Sequence, residues 1–437
     1  MASGWSVFAK RCVTVLGFKL VRCVVMFVQY IAWQLNGTAR RSRDAFLPEN
    51  YDRCVRVVNI KYVHKFDIFQ PITLGDYIYT HDRFVSPRYI IDNEHVTLMT
   101  FNKEYAIFAE ARDPKMEIWR SEVNPFIPIA QLDYCNRLLL VPMAAFKKSA
   151  DEIGDPKNCE IIFLFNVGRC GSTLMTQVME CTDAIVTISE PIAPNMLNVM
   201  YRREGDTPEF RRVCQSVIRW SCRPYPKLKP KAYCIKINAA VSPILHLLKE
   251  IYPSSRYLFM YRGVWPVQKS FYRATREFPS LVLAMFIGRL HGAVTESLMD
   301  SAGFVGKDFR IRMVDDCTMG LMFYIIATKA YNDLYNEGSL NIRALTYEDL
   351  TGDPLFSCRV ILKHCNLPET LAELAVRGLE RDSQRGSLVS RETLGRYRDP
   401  VITPEGRRVM EELAKKSGLP PLDDNFVLPG TITRKPK

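Results

Sequence analysis

The sequence predicts an α/β protein, a parallel sheet flanked by helices, preceded by a β-rich module and an N-terminal hydrophobic helix. Three observations predict it. Residues 12–35 are apolar over a membrane-scale length, and residues 52–122 break into short runs with two-residue alternation. From about residue 157, strand-like apolar runs alternate with helical stretches, the βα repeat that builds a parallel sheet.

At 437 residues the chain is long enough for two or three domains. The composition shifts divide it into a hydrophobic and basic segment (1–44), a β-rich accessory domain (45–155) and an α/β domain (156–437). With 47% hydrophobic and 24% charged residues, it is neither a disordered nor a polytopic membrane chain. Half of the net charge of +12 lies in residues 1–44, where seven basic residues face Asp44 alone. The modest excess elsewhere argues against a nucleic-acid binder and fits a small anionic ligand. Thirteen cysteines without CxxC pairs give no zinc or disulfide framework and read mostly as buried thiols.

Along residues 12–35, Lys19 and Arg22 form a polar stripe with Gln29. Three readings follow: a single-pass signal anchor, an interfacial amphipathic helix, or a helix packed on the protein body. Arg40, Arg41 and Arg43 on one side and Lys10 and Arg11 on the other leave the orientation open. In the module, the expected strands are 54–63, 76–80, 88–92, 95–101, 105–111 and 116–119, with helical segments over 128–150 and Pro142 starting the second. His64, His81 and His95 are too dispersed for metal ligands.

The α/β part opens with IIFLFNV (161–167), a buried-strand run, followed by Gly168-Arg169-Cys170-Gly171-Ser172-Thr173 and the helical LMTQVMECT. Further strands fall at 184–188, 233–238, 256–261 and 341–347. The corner after the first strand has the parts of an anion cradle: glycines for tight backbone, free helix-start amides, two hydroxyls and a fixed cation at Arg169. Gly171 stands where a nucleoside-triphosphatase loop carries its lysine, and the strand 256–261 runs into Arg262 instead of an acidic magnesium ligand.

The segment Arg169-Cys170-Gly171-Ser172-Thr173-Leu174 resembles the 5′-phosphosulfate loop of sulfotransferases that use 3′-phosphoadenosine 5′-phosphosulfate (PAPS). Arg262, at a strand end eight positions before Ser270, resembles that family's 3′-phosphate signature, and Tyr347-Glu348-Asp349-Leu350 resembles a late structural element. The resemblance covers about residues 157–400. It implies a P-loop-like sulfotransferase fold, PAPS as sulfuryl donor with no metal, and a hydroxyl acceptor.

It also implies site residues. Glu190, in Ser189-Glu190-Pro191, matches the base of carbohydrate and tyrosine sulfotransferases, and Lys236 matches a cation on the transferring group. Asn238 stands where the cytosolic enzymes carry a histidine base, and His246 reads as a packed side chain. Arg385 and Gly386 match a C-terminal 3′-phosphate contact by order and chemistry, with Arg391 or Arg381 as substitutes. The Arg169 corner and the Arg262–Ser270 pair are then expected to hold opposite ends of one nucleotide. The implied acceptor is a glycan, with a cytosolic small molecule as alternative, and the implied location is a Golgi membrane, with the cytoplasm as alternative. A nucleotide kinase and a non-catalytic nucleotide-binding scaffold are the competing readings.

Overall fold

Ten strands form two five-stranded sheets, one antiparallel and one parallel, among the described residues. The structure is a computed structural model and describes residues 2–67, 72–225, 228–301, 312–338, 340–423 and 426–433. The chain divides into two compact units: Met1–Lys157 with Pro191–Lys229, and Asn158–Glu190 with Pro230–Lys437.

The first unit begins with helix α1 (Ala2–Leu35). Gly37, at φ 76°, turns the chain into α2 (Thr38–Asp44). An antiparallel sheet follows, with β1 (Val55–Val63), β2 (Tyr77–Val85), β3 (Val96–Phe101), β4 (Tyr105–Ala111) and β5 (Cys135–Pro142) in the order β2-β1-β5-β4-β3. Three expectations change here. Arg88–Asp92 is helical, because Ser86 and Pro87 start a turn whose carbonyls accept from Tyr89 and Ile90 at 3.0 Å. Met116–Trp119 is a turn that buries Ile118 and Trp119 without pairing.

The third change is larger: residues 135–142, expected to be helical, form the central strand. Leu138–Val141 are apolar in succession and buried throughout, a run whose period does not separate strand from helix. Pairing with β1 on one side and β4 on the other decides it. Pro142 does start the helix Met143–Ile153. That helix packs on Pro208–Ser221, where Trp220 stacks on Phe146 and donates its indole N–H to the Phe146 carbonyl at 3.3 Å.

In the second unit, β6 (Glu160–Asn166), β7 (Ile185–Ser189), β8 (Ala232–Lys236), β9 (Arg256–Tyr261) and β10 (Ile342–Thr346) form a parallel sheet in the order β10-β9-β6-β8-β7. A parallel sheet flanked by helices, a separate antiparallel sheet and an N-terminal apolar helix are thus all present. On one face, Tyr331 of the helix Thr318–Glu337 stacks on Phe259 at 4.7 Å. Met260 points to the other face and approaches Gly171. The chain leaves β6 toward β7 and leaves β9 toward β10, so the loops after these neighbouring strands diverge at the carboxyl edge. Ligands of doubly wound sheets bind in such a crevice.

One wall of that crevice is held by close packing. Gly378 lies against the helix Ser172–Glu180, where a Cβ would come within 2.6 Å of Val178 Cα and 2.9 Å of its nitrogen. Gln177 donates to the Gly378 carbonyl and, at 3.2 Å, to that of Arg381. Gly378→Ala should lower stability by about 1–3 kcal/mol in urea unfolding. Gly352→Ala, with open space around it, should leave the midpoint unchanged.

Candidate functional site

The corner between β6 and the helix Ser172–Glu180 takes three positive φ angles, at Gly168 (75°), Arg169 (54°) and Gly171 (86°). The Gly168 amide donates to Asn166 Oδ1 at 2.8 Å, which begins the turn. Gly171 is required twice, by its φ and because a Cβ would lie 2.5 Å from Tyr347 Cδ2. The helix has no side-chain cap, so its first-turn amides are available to an anion. Cys170 is fully buried and donates its thiol to the Met260 carbonyl at 3.2 Å. Burial pushes that thiol up to about 11, and its bond to the Met260 carbonyl anchors the turn.

Behind the turn lies an ion pair. Lys236 ends β8, with a side chain 1% exposed; its Nζ is 2.8 Å from Glu190 Oε1 and donates to Thr173 Oγ1 at 3.0 Å. Glu190 follows β7, and its amide donates to the Lys236 carbonyl at 2.9 Å. Its φ of 56° is unusual for a residue other than glycine, asparagine or aspartate. Such strain persists where the surroundings fix it, and it collects at functional sites. The Glu190 carboxylate is 38% exposed, so it faces solvent while its partner does not.

Arg169 Nε donates to Ser270 Oγ at 2.9 Å, and an Nη reaches the Val389 carbonyl at 3.3 Å. Burial lowers the guanidinium to about 10, against the opposing pull of the Glu190 carboxylate. Arg262 lies 4.3 Å from the Tyr347 ring centroid and 3.4 Å from Glu348 Oε1, and its carbonyl accepts from Tyr324 Oη at 2.9 Å. Arg169, Arg262, Ser270, Tyr347 and Val389 line one cleft of about 1060 Å³. Among the described residues its wall carries six cations, Arg169, Arg262, Lys269, Arg273, Arg381 and Arg391, and the carboxylate of Asp382, with Glu348 and Asp399 paired to Arg262 and Arg273 from outside the lining. That balance suits a polyanion.

Of the residues singled out from sequence, Arg169, Gly171, Leu174, Arg262 and Ser270 share this cleft. Cys170, Ser172 and Thr173 are buried behind it, and Glu190 and Lys236 meet each other through the ion pair. Arg169 and Ser270, assigned to opposite ends of a ligand, are in direct contact. Arg385 and Gly386 are exposed and do not line the cleft, whereas Arg381 and Arg391 do. His246 is exposed, not packed. Lys269, Arg273 and Tyr347 also line the cleft, and the sequence motifs do not single them out as wall residues. Lys269 and Arg273 lie four apart on the helix Val264–Thr275, a spacing that puts both on one face.

No protein-family model matches this chain, and no curated protein matches it. Among solved structures, mouse sulfotransferase SULT7A1 complexed with PAP shares 14% identity at a TM-score of 0.31, over 64% of this chain and 92% of that one. The sulfotransferase domain of the Synechococcus PCC 7002 olefin synthase has the same identity and TM-score, over 61% and 98%. Retinol dehydratase in complex with androsterone and inactive cofactor PAP again shows 14% and 0.31, over 66% and 89%. Likenesses at this TM-score fix neither fold nor chemistry.

The ion pair is asymmetric in burial, and its mutants should be too. Glu190→Ala takes the carboxylate from a buried ammonium and should cost about 2 kcal/mol, less than a fully buried pair because Glu190 is partly solvated. Lys236→Met leaves a carboxylate that water can reach and should cost less. The double variant should recover much of the Glu190→Ala loss, a coupling read from urea unfolding of all four proteins.

Proposed function

We propose that the second unit is a sulfotransferase of P-loop-like fold that moves a sulfuryl group from PAPS to an acceptor hydroxyl. The observation that carries this reading is the Lys236 ammonium held between Glu190 and Thr173 directly behind an anion-binding turn. The cationic cleft supports a nucleotide with phosphates at both ends, and its volume is near the upper end of the roughly 300–1,000 Å³ common for ligand pockets.

In the proposed step, the acceptor oxygen forms a bond to sulfur. The bond from sulfur to the 5′-phosphate oxygen breaks, its electron pair stays on the phosphate, and adenosine 3′,5′-bisphosphate leaves. Glu190 takes the acceptor proton. Lys236, Thr173 and the first-turn amides offset the charge that develops on the transferring group and the departing phosphate. Arg262 and Ser270 hold the 3′-phosphate. The contact of Arg169 with Ser270 supports giving Arg169 a part in both phosphate sites. For the C-terminal basic contact, the cleft lining favours Arg381 and Arg391 over Arg385 and Gly386.

We further propose a glycan hydroxyl as acceptor, on the likeness of the Glu190-Pro191 corner to the carbohydrate enzymes, and with it a Golgi membrane as location.

Adenosine 3′,5′-bisphosphate should raise the melting temperature of the full-length protein. At a hundred times its dissociation constant the gain is about 2.7 kcal/mol. Arg169→Ala and Arg262→Ala should abolish the shift, and Glu190→Gln should keep it while lowering sulfuryl transfer by about 10²–10⁴-fold. A shift with magnesium-ATP and none with the bisphosphate would replace this reading with a kinase.

A further inference from the structure

We propose that α1 does not cross a bilayer but lies in the plane of an anionic lipid surface, holding the first unit against it. The inference is independent of the sulfuryl chemistry.

The two charges that interrupt the apolar helix are already engaged. Lys19 Nζ donates to the Gly75 carbonyl at 2.6 Å and lies 3.3 Å from Asp76 Oδ1. Arg22 donates to the carbonyls of Tyr77 at 2.9 Å and Leu74 at 3.1 Å. On the same side, Phe18 and Trp33 are buried, with Trp33 stacked on Tyr79 and the Arg56 guanidinium 4.1 Å from its ring. Phe18, Arg22, Met26 and Trp33 therefore form a seam that docks α1 on the edge of the antiparallel sheet.

Among the described residues the opposite face has no such partner. Val13, Leu16, Leu20, Val24, Phe27 and Ile31 follow one another at helical spacing and are 45–72% exposed. Spanning would draw Lys19 and Arg22 toward the bilayer centre with Asp76 and the backbone of residues 74–77, and non-helical backbone exposed to lipid is not tolerated there. Lying flat keeps every one of those bonds and immerses only the apolar face.

Charge at the two ends selects the occupant. Lys10 and Arg11 precede the face, and the exposed Arg40, Arg41 and Arg43 follow it, with Asp44 the one acid in residues 1–44 of the sequence. A second copy pairing on this face would set cationic ends against cationic ends in either orientation. Anionic headgroups neutralise them.

The test is co-sedimentation of the purified full-length chain with phosphatidylcholine vesicles, with and without phosphatidylserine. Binding should require the anionic lipid and weaken with salt, and Val24→Glu with Phe27→Glu should reduce it at least tenfold while the melting temperature holds. In sealed membranes, tags at the two chain ends should share one fate under protease. Protection of one end alone would establish a spanning helix and overturn the proposal, as would equal binding to neutral vesicles or a lipid-indifferent dimer that covers the face.

Discussion

The Lys236 amine, almost wholly removed from water, is the constraint around which the second unit is arranged. Burying an ammonium costs several kcal/mol unless anionic and hydrogen-bonding partners meet it in good geometry. Here the partners come from two separate places, the carboxylate from the corner after β7 and the hydroxyl from the start of the helix Ser172–Glu180. The pair therefore fixes the ends of β7 and β8 relative to the anion turn. It also explains why Glu190 tolerates a left-handed backbone: the bond from its amide to the Lys236 carbonyl and the ion pair from its side chain hold both ends of the residue.

The cleft beside the anion turn is shaped by exclusion as much as by charge. Tyr347 occupies the space a side chain at position 171 would need, and Arg262 rests over the same ring. Cys170 turns inward, so the turn exposes backbone to the cleft and carries one long side chain, Arg169, across it. The acidic pair in Tyr347-Glu348-Asp349 does not spoil this basic surface, because Glu348 lies against Arg262 and Asp349 accepts from Thr346 within its own helix start.

The first unit makes a different use of charge, through Lys19 and Arg22, which are only partly buried. In α1 the same two cations that argue against a plain membrane helix are the ones that attach it to the β-module. Their partners are the Asp76 carboxylate and the carbonyls of Leu74, Gly75 and Tyr77, at and just before the start of the edge strand β2. The helix thereby gains a dry face and a bare face.

The sequence by itself determined what short-range rules govern. The buried run 161–167 with glycines behind it required a strand, a tight corner and a helix start, and the alternating βα runs required a parallel sheet. It also put Arg169 and Arg262 at strand ends, where ligands of such sheets bind. It did not decide residues 135–142, because four successive apolar residues satisfy either period until β1 and β4 supply hydrogen-bond partners on both sides. Nor did it choose between Arg385 and its neighbours, since a loop's order along the chain says nothing of which side chains face inward. The contact of Lys236 with Glu190, 46 positions earlier in the chain, and the seating of α1 on its sheet edge belong to the tertiary structure alone. Both join charges to partners far along the chain, and only the completed packing brings those atoms within bonding distance.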